Sequence, residues 1–193
     1  VTVFDFGGTL LVYEVLGLCG KTVVDGKPFS AKVDNEFYLE EGKIIGGRFF
    51  AKRSDKSEAL PDVETDKAPG DVFRNFIECM RSRNHKQLHA DILDAHYSSA
   101  LCHLGNISYR LGKQMPGSGT PEGFPASAHI QESLDRLRAN LREAIGLDLS
   151  TTTYQQGVKL DFDAAAEKFV GNDEANALLT RKYREPFVVT EVA

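Results

Sequence analysis

His96, Ser99, His103, Asn106 and Arg110 recur at steps of three and four residues. At about 100° per residue, that spacing sets two imidazoles, a hydroxyl, a carboxamide and a guanidinium along one line of a helix. A second series, Leu93, Tyr97, Ala100, Leu104, Ile107 and Leu111, runs beside it roughly a quarter-turn away and forms an apolar stripe. Between Ala95 and Tyr109 there is no formally charged side chain apart from whatever the two histidines carry, and Ala95, Ser98, Cys102 and Gly105 are small. The pattern predicts a long helix, Ala90 to Gly112, buried on most sides. Its polar atoms must then be satisfied in an internal hydrogen-bond network or against a second body, a ligand or another domain.

Other residue sets suggest chemistry that their spacing rejects. His85, His89, His96 and His103 invite a metal, but residues seven apart on a helix are separated by about 10.5 Å along its axis. Zinc ligands sit near 2 Å from the ion, so His96 and His103 cannot share one. Cys102 and His103, as sequence neighbours, point about 100° apart, the wrong geometry for a thiolate and its base. Asp91 and Asp94 fall in a first helical turn, where capping and the helix dipole favour acids without any catalytic role. The chain contains no GxGxxG, GxxxxGK[ST] or GxSxG motif, and so no glycine loop of the kind that cradles phosphates. No complete catalytic machinery, cofactor site or metal site is read from these residues.

The elements that must hold the central helix follow in chain order. VTVFDF, Gly7-Gly8 and TLLVYEV read as a two-residue hairpin, and the start at Val1 inside an extended pattern suggests a piece of something longer. Beyond a turn-rich stretch, Gly17 to Lys32, come strands Glu36 to Leu39 and Lys43 to Lys52, joined at Glu41-Gly42. Gly46-Gly47 inside the second reads as a bulge or a close backbone approach where a partner packs. Residues 52–70 read as a charged surface connection. Next comes a helix, Asp71 to Arg83, capped by Asp71, with Val72, Phe73, Phe76, Ile77 and Met80 as its apolar stripe. Met115 to Pro125 is breaker-rich loop. Ser127 to Ile145 makes a half-exposed third helix with Ile130, Leu134, Leu137, Leu141 and Ile145 on one side. The remainder holds an extended stretch at Val158 to Phe162, a short helix near Asn172 to Leu179, and a PFVV segment expected to dock on the body beside the Arg181, Tyr183 and Arg184 cluster.

The fold class predicted is α+β: an open, mainly antiparallel sheet with helices packed on one side. It forms one domain over 1–193, mostly sheet in 1–53, mostly helical in 71–145, and extended with a short helix in 146–193. A net charge of −5 and scattered basic residues give no footprint for nucleic acid. No apolar run reaches the roughly 18 residues of a membrane span. Cys19, Cys79 and Cys102 lie too far apart in sequence for a ribbon or a disulfide framework and read as free thiols in packed positions.

RNFIECMRSRN, HYSSALCHLGNISYRLG and FVGNDEANALLTRKYREPFVV together resemble the C-terminal half of Gfo/Idh/MocA-family oxidoreductases, in the branch common in planctomycete-type bacteria. The likeness is strong from about Asp71 onward. It departs at NEFYLEEGKIIGG, where the family tends to show a strand, a Tyr-Gly turn and another strand. The resemblance implies a missing N-terminal Rossmann domain that binds NAD or NADP, a sugar-like or polyol substrate, and homo-oligomer contacts through the sheet. The family's dinucleotide fingerprint and the lysine of its Glu-Lys-Pro motif belong to that missing domain, so no catalytic residue carries over. In such proteins the helix after the sheet returns toward the nucleotide domain, which makes His96, His103, Asn106 and Arg110 the candidate substrate or domain-junction residues. Two other readings stand beside it: a non-catalytic α/β binding or assembly module, and a domain of an NAD-dependent glycosidase of the same family.

Overall fold

In the computed structural model, residues 1–15, 23–24, 27–28, 35–54 and 56–188 are described. Cys19, most of the Gly17 to Lys32 stretch, and Val189 of the PFVV segment lie outside them. The fold is α+β with antiparallel pairing throughout. That pairing is divided, among the described residues, over five small sheets where the pattern predicts one open layer. The described chain also separates into two compact units, Val1–Phe29 with His96–Ala193, and Ser30–Ala95, where its length suggests one domain.

The first unit begins with a hairpin, β1 (Thr2–Asp5) and β2 (Leu10–Tyr13), in register Thr2↔Tyr13 to Asp5↔Leu10. Gly7 and Gly8 both take positive φ at its tip, and the Gly7 N–H donates to Asp5 Oδ1 at 2.9 Å. Strands β3 (Val23–Val24) and β4 (Lys27–Pro28) form a second pair.

The second unit carries a four-stranded meander: β5 (Glu36–Tyr38), β6 (Gly42–Ile45), β7 (Arg48–Ala51) and β8 (Ser57–Ala59). The predicted single strand Lys43 to Lys52 is therefore two strands. Gly46 and Gly47, read from sequence as a bulge or close approach, are the turn between them, with φ of 56° and 72°. No atom lies within 4 Å of where a Cβ would sit on either. The glycines supply the two left-handed residues of a two-residue hairpin, not room for a partner. Strand β8 lies in what sequence reads as a charged connection. No residue of this sheet is buried.

Helix α1 (Val72–Ser82) starts where its cap predicts, the Asp71 carboxylate accepting from the Phe73 and Arg74 N–H groups. It ends at Arg83, which has a left-handed backbone. A 3-10 turn at His85–Gln87 leads to α2 (Ile92–Arg110), the predicted central helix shortened by two residues at each end. Further on come β9 (Lys113–Pro116), α3 (Ala128–Ala139), a π turn at Asn140–Ala144, and β10 (Thr153–Gln156). Strands β11 (Phe162–Asp163) and β12 (Lys168–Phe169) and helix α4 (Asp173–Ala177), capped by Asn172, complete the described elements. The extended stretch predicted at Val158 to Phe162 is displaced to β10, which pairs with β9. Residues 186–188 form no strand, and Phe187 and Val188 are exposed, so the docking predicted for PFVV is not seen in them. Instead the Arg184 guanidinium lies 5.5 Å over the Phe187 ring and that of Arg181 5.9 Å over Tyr183, a local cation–π arrangement.

The core of the first unit is Ile107, Phe169 and Ala175, ringed by Leu104, Leu111, Leu160, Phe162, Leu178 and Leu179. Helix α3 is tied to the N-terminal hairpin by charge. Arg136 Nη2 donates to both Glu14 carboxylate oxygens, at 2.6 and 2.8 Å. Burial by itself raises the Glu14 carboxyl, but hydrogen bonds from Arg136 and Ser133 outweigh it and hold it below its ordinary value. The folded value thus lies below the roughly 4.3 of an unfolded glutamate. The stabilisation is complete above that pH and disappears as pH falls through the folded value. Urea unfolding stepped from about pH 6 to pH 3 is expected to show this loss, and Arg136→Ala is expected to flatten it.

Candidate functional site

Helix α2 is placed by its two ends. At its start, Asp91 Oδ1 accepts from the Leu93 N–H at 3.1 Å, while Asp91 Oδ2 lies 2.8 Å from His85 Nδ1. The hydrogen bond with His85, followed by that from Leu93, holds the Asp91 carboxyl below its usual range, as expected of an acid at a helix N-terminus. At its far end the chain from β10 crosses the last turn. Ser108 Oγ donates to the Val158 carbonyl at 2.6 Å, the Val158 N–H returns to the Ser108 carbonyl, and Gln155 Nε2 donates to the Tyr109 carbonyl at 2.6 Å. Gly105 lets β1 approach: a Cβ there would meet Thr2 Cγ2 at 3.2 Å and Phe4 Cζ at 3.8 Å.

These contacts cover only part of the helix. Ile107 is its one buried residue among those described, and Leu104 and Leu111 join the same core. Leu93 and Tyr97, from the same predicted stripe, are each 54% exposed. The expectation of a helix buried on most sides is therefore corrected: only its C-terminal half finds apolar partners, in β11, β12 and α4. Cys102 is exposed and Cys79 buried, so the prediction of packed thiols holds for Cys79 alone of these two.

The polar series lies on the uncovered side. His96, Ser99, His103, Asn106 and Arg110 are all exposed. Their line runs about 21 Å from the first residue to the last, too long for one small pocket. His96 Nε2 sits 2.9 Å from Glu167 Oε1. Glu167 belongs to the turn between β11 and β12 and has a φ of 50°. It is the site residue that sequence reading missed, and at 71 positions beyond His96 in the chain no local pattern points to it. The pairing leaves His96 Nδ1 free to meet a further group. Among the described residues, the side chains of His103, Asn106 and Arg110 have no hydrogen-bond partner. What the helix presents is an imidazole–carboxylate pair, a second imidazole, a carboxamide and a guanidinium, all in water, able to bind hydroxyls or an anion on an apposed surface.

An open depression of about 380 Å³ lies elsewhere, lined by Asp66, Lys67, His85, Lys86, Asp91, Leu93 and Asp94. It includes none of the polar series. Among the described residues no three His, Cys, Asp or Glu side chains gather into a set that could hold a metal, and no helix is long and apolar enough to cross a membrane. No protein-family model, curated protein or solved structure matches the chain.

Proposed function

We propose that this chain is the substrate-binding and oligomerisation domain of an NAD(P)-dependent oxidoreductase acting on a sugar or polyol, with the nucleotide held by a Rossmann domain outside these residues. The observation that carries the reading is the exposure of the α2 polar series, in which the side chains of His103, Asn106 and Arg110 have no partner among the described residues. Polar groups so placed are free to meet the hydroxyls of a bound sugar or the face of a neighbouring domain. The sequence likeness of the α1, α2 and C-terminal segments supports the same reading, as does the lack of any phosphate-cradling glycine loop. In the reaction a hydride leaves a carbinol carbon for the nicotinamide, and the hydroxyl proton passes to a base outside this chain. The β5–β8 meander, with neither face buried, offers the surface for contacts between copies.

Expression from the whole reading frame is the test. The longer protein is expected to reduce NAD(P) with a sugar or polyol, whereas the 193-residue chain is expected to bind no NAD(H) by calorimetry. His103→Ala in the longer protein is expected to lower turnover about tenfold or more, with no change in melting temperature because the side chain is exposed. Nicotinamide binding by the 193-residue chain, or no nicotinamide-dependent turnover in the longer protein, overturns the reading.

A further inference from the structure

The turn between β11 and β12 places a glutamate where the backbone favours glycine. Ala164, Ala165, Ala166 and Glu167 join the two strands, and Asp163 Oδ1 accepts from the Ala165 and Ala166 N–H groups at 2.9 and 3.0 Å. The last of the four, Glu167, has a φ of 50°, a left-handed conformation that glycine adopts freely and that a Cβ makes unfavourable. Arg53 and Arg83 are the other left-handed residues besides glycine among those described. Of the three, only Glu167 hydrogen-bonds a side chain of another element. Backbone strain persists where the surrounding structure over-determines it, and such positions gather at functional sites. The surroundings here are firm. Two residues on, Phe169 is buried and its backbone is bonded on both sides by Asn176, and Ile107 of α2 belongs to the same core. One packed cluster therefore holds both the turn that carries Glu167 and the helix that carries His96.

Stability does not account for the glutamate. The His96 and Glu167 side chains are 50% and 56% exposed, and a pair so open to water contributes little to folding. What the bond does is orient the ring. A carboxylate only accepts, so the 2.9 Å contact puts the hydrogen on His96 Nε2 and, in the neutral ring, leaves the lone pair on Nδ1. We propose that Glu167 is the positioning residue of the α2 polar series, holding His96 so that Nδ1 accepts a hydrogen bond from a hydroxyl of an uncharged sugar or polyol. That hydroxyl is a different one from the hydroxyl that is oxidised, whose proton leaves to a base outside this chain. The inference rests on the oxidoreductase reading above and narrows its substrate. An acceptor nitrogen matches an O–H donor, and the negative charge of Glu167 disfavours a carboxylate or phosphate at this end of the helix.

Two kinds of measurement separate this role from a structural one. In the 193-residue chain at about pH 8, where imidazoles are neutral, long-range proton–nitrogen correlation spectra are expected to show His96 in the Nε2–H form. Glu167→Gly is expected to let the Nδ1–H form appear beside it. The same variant is expected to unfold at an equal or higher denaturant concentration, because glycine relieves the left-handed backbone. In the longer protein, Glu167→Gly and His96→Ala are each expected to raise KM for a neutral sugar or polyol about tenfold, and the double variant no further. Glu167→Gln, whose amide oxygen still accepts from Nε2–H, is expected to keep most of the affinity. An Nδ1–H form in the native chain, earlier unfolding of Glu167→Gly, or additive losses in the double variant overturns the assignment while nicotinamide-dependent turnover stands. Absence of that turnover overturns the reading above and this inference with it.

Discussion

Phe169→Ala is expected to destabilise the first unit by about 3–5 kcal/mol, the range for removing a buried aromatic ring. Phe169 is 4% exposed and stands at the centre of a core with few members. Its ring meets that of Phe162 edge-on, with centroids 5.1 Å apart, a geometry worth about 0.5–1.5 kcal/mol beyond the area buried. Its backbone is fixed as well. The Phe169 N–H donates to Asn176 Oδ1 at 2.8 Å, and Asn176 Nδ2 donates to the Phe169 carbonyl at 2.9 Å. These two bonds hold β12 against α4 and keep the backbone from shifting into the space the ring leaves. Without that collapse the cavity cost is felt in full. Chemical denaturation of the variant checks the value, and a loss below about 1 kcal/mol shows that the site repacks. The same core seats Ile107 of α2, so the variant is also expected to loosen the helix that carries His96 and His103, seen as faster amide exchange in its C-terminal half.

Asn75→Ala is expected to cost about 3 kcal/mol, an effect larger than the apolar residues around it on α1 can produce. Asn75 is 2% exposed and makes three hydrogen bonds. Its Nδ2 donates to the Ala68 carbonyl at 2.8 Å and to the Gln87 carbonyl at 2.9 Å, and its Oδ1 accepts from the His89 N–H at 3.0 Å. The side chain thus joins the segment before α1 to the 3-10 turn after it. Removing it strands one backbone donor and weakens two acceptors in a buried place, each at about 1–3 kcal/mol before relaxation and entry of water reduce the total. Asn75→Asp is a sharper control: it keeps the acceptor for His89 and sets a carboxylate against two carbonyls, so it is expected to destabilise at least as much. Phe73→Ala, in the same helix but 76% exposed, is expected to change stability of the unassociated chain by less than about 0.5 kcal/mol. The reversal of the usual order, with a polar residue mattering more than an aromatic one, is the energetic signature of a helix turned apolar side out.

Much of the local structure is legible in the sequence. The period of Val72 to Met80 and of Leu93 to Leu111 gives α1 and α2, Asp71 gives the first cap, and Asn172 opens α4 where the short helix is expected. Gly7-Gly8 gives the first hairpin and the antiparallel α+β class follows. Each of these depends on residues within four or five positions of one another, the range over which backbone dihedrals and helix hydrogen bonds are decided. Gly46-Gly47 marks the limit of such reading. A glycine pair inside a strand pattern signals either a bulge or a turn, and only the pairing of Ile45 with Arg48 selects the turn.

Tertiary structure alone decided which faces are covered. The periodicity of α1 names its apolar side but not its orientation, which is set by Asn75 reaching the Ala68 and Gln87 carbonyls. The apolar stripe of α2 is continuous in sequence, yet it is buried only where Phe169 and Ala175 arrive from more than 60 positions away. His96 is an ordinary helical histidine until the β11–β12 turn brings Glu167 to it. Secondary structure is fixed by neighbours along the chain, whereas burial and pairing are fixed by neighbours in space. A helical period is the same whether its stripe meets a core, a second copy or water.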